Sequence, residues 1–318
     1  MEPGYKSVGI IGAGPAGSMC AMLLSESGID VTLFDMGKPL RTILPTGGGR
    51  CNLAHAEYDY RELAKNYPRG EKFLYSVFSK FSTYETVSIF EKIGIKTYVQ
   101  EDGRIFPVSN DSKDVKNAIL HNMKKVNIVN EKVISVNENK VHTNKAEYLF
   151  TDIVVATGGK NFDIIGFNNH KFIGFKPSLV GLNADIKTLS GISIKQVYSN
   201  DLHITGDILF THYGISGPLI YKISSIYAMK KFPYKLSFDL FHDSIDLQSL
   251  LNKNPHKDLK NLLSKEIHLP VNFINYILGN KSDCKACDIN GQSRDEILYK
   301  LHNFNIEVLS ANKGEETV

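Results

Sequence analysis

The stretch from Val8 to Asp35 constrains the fold more than any other part of the chain. Val8 to Ile11 is a short apolar run, the pattern of a strand buried on both faces of a parallel sheet. It leads directly into Gly12-Ala13-Gly14-Pro15-Ala16-Gly17. The residues after it predict a helix, with Met19, Met22, Leu23 and Leu24 as its apolar face and Gly28 as a left-handed residue that ends it. Val31 to Phe34 predicts a second strand, closed by Asp35 at 18 residues beyond Gly17. Ser7 to Ser25 also carries no charge over 19 residues, a length that would suit a signal peptide or a membrane span. The three glycines and Pro15 in its middle break any continuous helix, so the turn reading prevails.

Strand, glycine-rich turn, helix, strand and acid in this order form a dinucleotide-binding fingerprint. Gly12 permits the tight turn, Gly14 lets backbone approach a pyrophosphate, and Gly17 lets the helix pack close to the strand. The helix N-terminus then offers free N–H groups and the positive end of its dipole to the phosphates. Asp35 is placed to accept from a ribose diol and would repel a 2′-phosphate, so FAD or NAD fits better than NADP.

Two further segments bear on the same chemistry. Thr46-Gly47-Gly48-Gly49-Arg50-Cys51-Asn52 sets three consecutive glycines, with exposed backbone N–H groups, beside a fixed positive charge. Such a charge could stabilise an anionic reduced flavin. Lys132–Val136 and Lys140–His142 predict a small hairpin. After it, Asp152–Ala156 predicts a buried strand that ends in Thr157-Gly158-Gly159, at the sheet edge where doubly wound folds contact ligands.

Composition sets outer limits. At 318 residues the chain has room for about two domains. With 42% hydrophobic and 22% charged residues it is globular rather than disordered. A net charge of +3, with Lys and Arg scattered, carries no nucleic-acid footprint, and the lysine pairs 124–125 and 230–231 read as solvated faces. Four cysteines fit a reducing cytoplasm rather than a disulfide framework. The expected partners are therefore a small-molecule substrate, with no nucleic acid and no membrane, in a cytoplasmic protein whose oligomeric state the sequence leaves open.

Four motifs in order, GAGPAG with Asp35, TGGGRCN at 46–52, DIVVATGG at 152–159 and GDILFTHYGISGP at 206–218, resemble the aminoacetone-oxidase-like (BaiN/RdsA-type) family of NAD(P)/FAD-dependent flavoprotein oxidoreductases. The resemblance implies an α/β, glutathione-reductase-like Rossmann FAD-binding domain with an inserted β-barrel plus helical domain. It implies FAD as cofactor. With a single GxGxxG no second nicotinamide-binding domain is expected, and two hydride sources stay open: NAD(P)H bound transiently, or a small-molecule substrate with oxygen as acceptor. By the same resemblance Gly12, Gly14, Pro15, Ala16 and Gly17 face the pyrophosphate. Asp35, where the family more usually has Glu, holds the adenosine ribose, with Met36 next to it. Arg41, Gly48, Gly49, Arg50, Cys51 and Asn52 line the path to the flavin. Val133 meets adenine through its backbone, and Thr157, Gly158 and Gly159 complete the cofactor set. Two departures from the family pattern stand out. The loop after ATGG is shortened over Lys160–Phe167, and the family's return segment is not found after Glu315-Glu316. The resulting expectation is an FAD domain over 1–183, a barrel over 184–312 with a helical part at about 243–303, and the start of a truncated return over 313–318.

In the insert, Ile192–Val197, Leu202–Ile204, Asp207–Phe210 and Lys235–Phe238 predict short strands. Helices are predicted around Leu259–Ile267, after Pro270, and after a Ser293/Glu296 capping box, with Ile306–Leu309 returning to the barrel. Thr211 and His212 are the candidate catalytic residues: His212 could move a proton near neutral pH, or the segment could be a turn whose side chains satisfy backbone groups. Ser216 lacks the GxSxG spacing of a nucleophile elbow. Cys284 and Cys287 form CxxC between Asp283 and Asp288 without a second ligand pair, so no metal site is expected. Cys20 reads as a small core residue, and Cys51 as a structural thiol. The reading that results is an FAD-dependent oxidoreductase whose flavin accepts a hydride. Two others stay open: a non-catalytic FAD- or nucleotide-binding remnant, and an NAD-dependent dehydrogenase, which accounts for GAGPAG and Asp35 but not for TGGGRCN.

Overall fold

The computed structural model describes residues 6–159, 173–241 and 245–312. Two compact units divide the chain, Met1–Ile173 and Gly174–Val318. The stretch 160–172, which includes the loop expected to be shortened, and residues 313–318, expected to begin a truncated return, lie outside the described residues.

The first unit is a Rossmann-like α/β domain. Strand β1 (Ser7–Ile11) is buried at every position and lies in a four-stranded sheet. It pairs in parallel with Asp152–Val155 on one side and with β2 (Asp30–Asp35) on the other, and β2 pairs in parallel with Asn127–Asn130. Alternation along β1 and β2 divides the core. Val8, Ile10, Val31 and Leu33 face a helical layer containing Val115 and Ile119, while Ile11 and Phe34 face Val133, Val141 and Phe150. That second face is covered by a three-stranded antiparallel sheet of Val133–Asn137, Lys140–Thr143 and Glu147–Leu149. Phe34 meets Tyr148 and Phe150 edge to face at 5.0 and 5.9 Å. A side chain at Gly9 would lie 2.5 Å from the Phe150 ring, which is why this strand position carries none.

Helix α1 (Pro15–Glu26) begins with Pro15 in its first turn, where a missing N–H costs nothing. Its most buried face is made of Gly17, Ser18, Ala21, Met22 and Ser25. Met19, Leu23 and Leu24, expected inside, are only partly buried, because close approach to the sheet requires small residues along the contact. The Ser18 and Ser25 hydroxyls are satisfied on the Ala13 and Met22 carbonyls at 3.1 and 2.9 Å. The helix ends in a Schellman motif: Ile29 N–H donates to the Leu24 carbonyl and Gly28 N–H to the Ser25 carbonyl, each at 3.2 Å, with Gly28 at φ +79.

The second unit is a barrel with a helical part. Its sheet runs Phe304–Val308, Tyr234–Asp239, Ser193–Ser199, Ile204–Thr211, Gly214–Ser216, Leu182–Asn183, Ser310–Ala311, and every neighbouring pair is antiparallel. The two end strands are separated in sequence only by Leu309, so the sheet curls round on itself. Helices Leu247–Lys253, Leu259–Ile267, Val271–Leu278 and Gly291–His302 are inserted between the paired strands Tyr234–Asp239 and Phe304–Val308.

Four expectations are corrected here. Leu182–Asn183 pairs with Ile215–Gly214 and Ala311–Ser310, so the barrel begins before residue 184. Leu202 and His203 form a turn, and Ile204–Thr211 is one continuous strand rather than two. Pro218–Ile226 is a helix that strand-like reading of the region concealed, with Leu219, Ile220 and Ile223 buried at helical spacing. The last helix is capped by Asn290, whose side chain accepts from Ser293 N–H at 2.8 Å, so Ser293 is not the cap. Among the described residues no helix is long and apolar enough to cross a membrane.

Candidate dinucleotide site

The order of the four parallel strands places β1 between β2, which follows it, and Asp152–Val155, to which the chain returns much later. Such a reversal opens a crevice at the carboxyl ends of the strands. Gly12 and Thr157 both lie there.

The three fingerprint glycines have different physical reasons. Gly12 has φ +102, and a Cβ there would meet the Ala156 carbonyl oxygen at 2.4 Å. A Cβ at Gly17 would lie 1.9 Å from the Gly12 oxygen and 3.2 Å from the Ala156 side chain. Both are thus required by the protein's own packing. Gly14 is not: its φ is −71, and the nearest atom to an added Cβ is Thr42 Oγ1 at 3.9 Å. Among the described residues that space is open, so their packing does not require a glycine here. Helix α1 starts beside it with no side-chain cap and no acid in its first turn. Its unsatisfied N–H groups and dipole therefore favour an anion at this place.

Asp35 is half-buried at the end of β2. Its Oδ2 accepts from Ala13 N–H at 2.7 Å and its Oδ1 from Gly37 N–H at 2.8 Å. One carboxylate thus pins both sides of the glycine turn, and each oxygen keeps further lone-pair capacity for a hydroxyl. Asn130, paired in register with Asp35, can direct its amide to the Asp35 and Met36 carbonyls, each at 3.2 Å. Met36 is 57% exposed, a large apolar side chain open beside the acid. Val133 is buried in the cluster with Ile11 and Phe34, which brings its backbone to this side of the sheet.

The glycine–arginine loop is ordered by left-handed residues. Gly47, Gly48, Gly49 and Cys51 have φ of 58, 68, 84 and 62. The Gly49 and Cys51 N–H groups are used internally, on the Pro45 and Thr46 carbonyls at 3.3 and 3.0 Å. Among the described residues nothing lies within 4 Å of a Cβ added at Gly48. The Arg50 guanidinium lies 4.1 Å over the Phe106 ring and its Nε donates to the Gly47 carbonyl at 3.3 Å. The positive charge is held in place rather than free to swing. Arg41, in contrast, is exposed, and Asn52 is exposed at the loop's end. Cys51 is buried, and burial pushes its thiol up, against a smaller opposing effect of the Thr46 hydrogen bond. A neutral buried thiol fits a structural role.

At the end of Asp152–Val155, Thr157 Oγ1 is buried without a hydrogen-bond partner among the described residues. Native proteins rarely leave such an atom orphaned without a functional reason. Gly158 (φ +70) and Gly159 follow it at the surface. Sequence reasoning missed Thr42, Phe106 and Asn130, which meet the loop or the acid only through the fold.

In the second unit, Thr211 and His212 lie at the turn between strands Ile204–Thr211 and Gly214–Ser216. The Thr211 hydroxyl donates to the Gly214 carbonyl at 3.3 Å, and the exposed His212 ring meets Tyr213 edge to face at 5.2 Å. Gly214 is there because a Cβ would strike the Leu182 oxygen at 2.3 Å. Thr211 thus satisfies a backbone carbonyl, whereas Ser216 donates to the Tyr221 hydroxyl at 3.0 Å. Cys284 and Cys287 are free thiols in a loop whose backbone bonds tie residues 255–259 to 284–287. No group of metal-ligating residues occurs among the described residues.

Comparison with known proteins bears on the same segments. Residues 6–211 match the HI0933-like protein Rossmann domain, and residues 176–316 match the HI0933-like protein barrel and H2TH domain. The chain is 26% identical over 330 aligned positions to the ribosomal RNA dihydrouridine synthase of Escherichia coli, covering 94% of this chain and 80% of that protein. It is 28% identical to the protein of that name from Haemophilus influenzae, covering 70% of this chain and 61% of the other, less than two thirds of its length. A glycine oxidase from Bacillus cereus aligns over 67% of this chain and 68% of its own, at 16% identity and a TM-score of 0.35.

Proposed function

Because the chain belongs to the HI0933-like family of flavoprotein, oxidoreductase-type Rossmann proteins, we propose that it binds FAD in the crevice at Gly12–Gly17 and reduces uridine in ribosomal RNA, with NAD(P)H as the electron source. The RNA substrate is taken from the name of the Escherichia coli relative, which aligns with nearly the whole chain. It differs from the expectation drawn from composition and motifs, a small-molecule substrate and no nucleic acid, and the experiment below decides between them. FAD, when bound, would supply the redox chemistry, relaying two electrons from NAD(P)H to the uridine ring as a hydride, with a proton from water completing the reduction.

The chain's own residues bind and orient. Gly14 admits the pyrophosphate against the backbone, and the first turn of α1 supplies N–H groups and positive potential. Asp35 offers its remaining lone pairs to the adenosine ribose while holding the turn. Thr157 offers its orphaned hydroxyl to a polar group at the sheet edge. Arg50, stacked on Phe106, holds a fixed charge on the loop assigned to the flavin side.

The observation that carries the cofactor assignment is the open space at Gly14, which packing among the described residues does not explain. The reaction is tested by incubating unmodified ribosomal RNA with the protein, FAD and NAD(P)H without oxygen, then digesting the RNA and measuring dihydrouridine. Site-specific dihydrouridine supports the reading. Flavin that is reduced by NAD(P)H but reoxidised only by small molecules would remove the RNA part and restore a small-molecule oxidoreductase.

A further inference from the structure

Residues 60–84 carry a surface that the dinucleotide site does not use. Helix Glu71–Phe78 has no buried residue. On its inner side Leu74, Tyr75 and Phe78 are half-buried, and rings tie the segment together: Tyr75 meets Tyr60 at 6.5 Å and Phe78 meets Tyr67 at 5.5 Å. On its outer side Phe73 is 74% exposed and Val77 40%, one turn apart. Phe81 N–H donates to the Val77 carbonyl at 3.0 Å, so the turn continues and Phe81, also 40% exposed, extends the row. One residue away runs a second row, Lys72, Ser76 and Lys80, all exposed. Neither lysine has an ion-pair partner among the described residues. Eight residues of helical rise separate the two ammonium-bearing positions by about 12 Å. The segment is anchored to the glycine–arginine loop's continuation, because the Thr83 hydroxyl donates to the His55 carbonyl at 3.0 Å.

Exposed rings alone would suit a protein partner or a second copy of the chain. Here two exposed rings, with Val77 between them, stand beside two lysines at the same helical spacing, neither of them ion-paired among the described residues. Single-stranded nucleic acid has the complementary arrangement, with base faces on one side of a repeating anionic backbone. We propose that Phe73, Val77 and Phe81 with Lys72 and Lys80 form a docking surface for single-stranded RNA, the bases stacking on the rings and the phosphates meeting the lysines. This rests on the RNA reading of the preceding subsection and extends it to a place on the molecule.

The test is fluorescence anisotropy of a labelled, unstructured oligoribonucleotide with the FAD-loaded full chain. Phe73→Ala and Phe81→Ala should each weaken binding by about tenfold. The double variant Lys72→Gln/Lys80→Gln should lower the slope of log affinity against log salt by about 1.4. Flavin content and circular dichroism should not change, since none of these side chains is buried. Variants that bind like wild type would overturn the surface, while dihydrouridine formation by the wild-type protein would leave the RNA reading standing. A wild-type protein that fails to bind the oligoribonucleotide also overturns the surface, and the dihydrouridine assay then decides the RNA reading separately. A Phe73→Ala change that turns a dimer into a monomer with RNA affinity intact would reassign the rows to self-association.

Discussion

Replacing Gly14 by Val separates ligand space from packing. Among the described residues the new Cβ meets only Thr42 Oγ1, 3.9 Å away, and the φ of −71 suits any residue. Loss of glycine's freedom in the unfolded chain stabilises by about 0.4–1 kcal/mol. Loss of glycine as helix N-cap costs an amount of the same order, about 0.5–1 kcal/mol. The two nearly cancel, so apoprotein stability should stay within about 1 kcal/mol of wild type. The cofactor should respond differently. The branched side chain occupies the space through which a pyrophosphate reaches the backbone, and FAD affinity should fall by at least about tenfold, equivalent to about 1.4 kcal/mol. Gly17→Ala is the contrast: its Cβ would lie 1.9 Å from the Gly12 oxygen, so the apoprotein itself should lose about 1–3 kcal/mol or more. Denaturant unfolding of the apoproteins and FAD titration of both give the comparison. Full flavin occupancy in Gly14→Val, or an apoprotein as damaged as Gly17→Ala, would refute the idea that a ligand explains this glycine.

Asp35→Ala removes the acceptor of the Ala13 and Gly37 N–H groups as well as the proposed ribose contact, so both unfolding and FAD titration should register losses of about 1.5–3 kcal/mol, while FMN binding should not depend on it beyond the folding effect. Gly28→Ala forces a side chain to φ +79 and should cost about 1–2 kcal/mol in thermal unfolding without changing flavin content. Thiol reagents should modify exposed Cys287 before Cys51. The Cys51 thiol is raised by burial, so the native state holds its proton more tightly than the unfolded chain. That contribution is fully present below the ordinary thiol value of 9.0 and is lost as pH rises through the higher folded value, and Cys51→Ala should flatten this alkaline decline in unfolding experiments.

What the sequence made legible was local. Val8–Asp35 is strand, turn, helix and strand because each signal lies within a few residues of its effect: Pro15 at the helix start, Gly28 at its end, Asp35 at the strand's edge. The buried residues of Leu259–Ile267 and Val271–Leu278 follow helical period for the same reason. What sequence hid was set by tertiary approach. On α1 the expected Met22 is buried beside Gly17, Ser18, Ala21 and Ser25, while Met19, Leu23 and Leu24, expected with it, are only partly buried. Phe106 supports Arg50 from a strand far along the chain, and no spacing rule connects them. Pro218–Ile226 had a readable signal, proline in the first turn followed by apolar residues at helical spacing, but the preceding strand pattern masked it. Thr211 and His212 looked chemical in sequence, and in space Thr211 closes a turn.

The central claim, an FAD site built on the Gly12–Gly17 turn, is tested most directly by equilibrium titration of apoprotein with FAD and, separately, with NAD, following the flavin absorption spectrum and intrinsic tyrosine fluorescence. The account predicts saturable FAD binding, perturbed flavin bands that bleach under NAD(P)H without oxygen, and loss of both in Gly14→Val. A protein that takes up NAD but leaves the flavin spectrum as it is in free solution would contradict it.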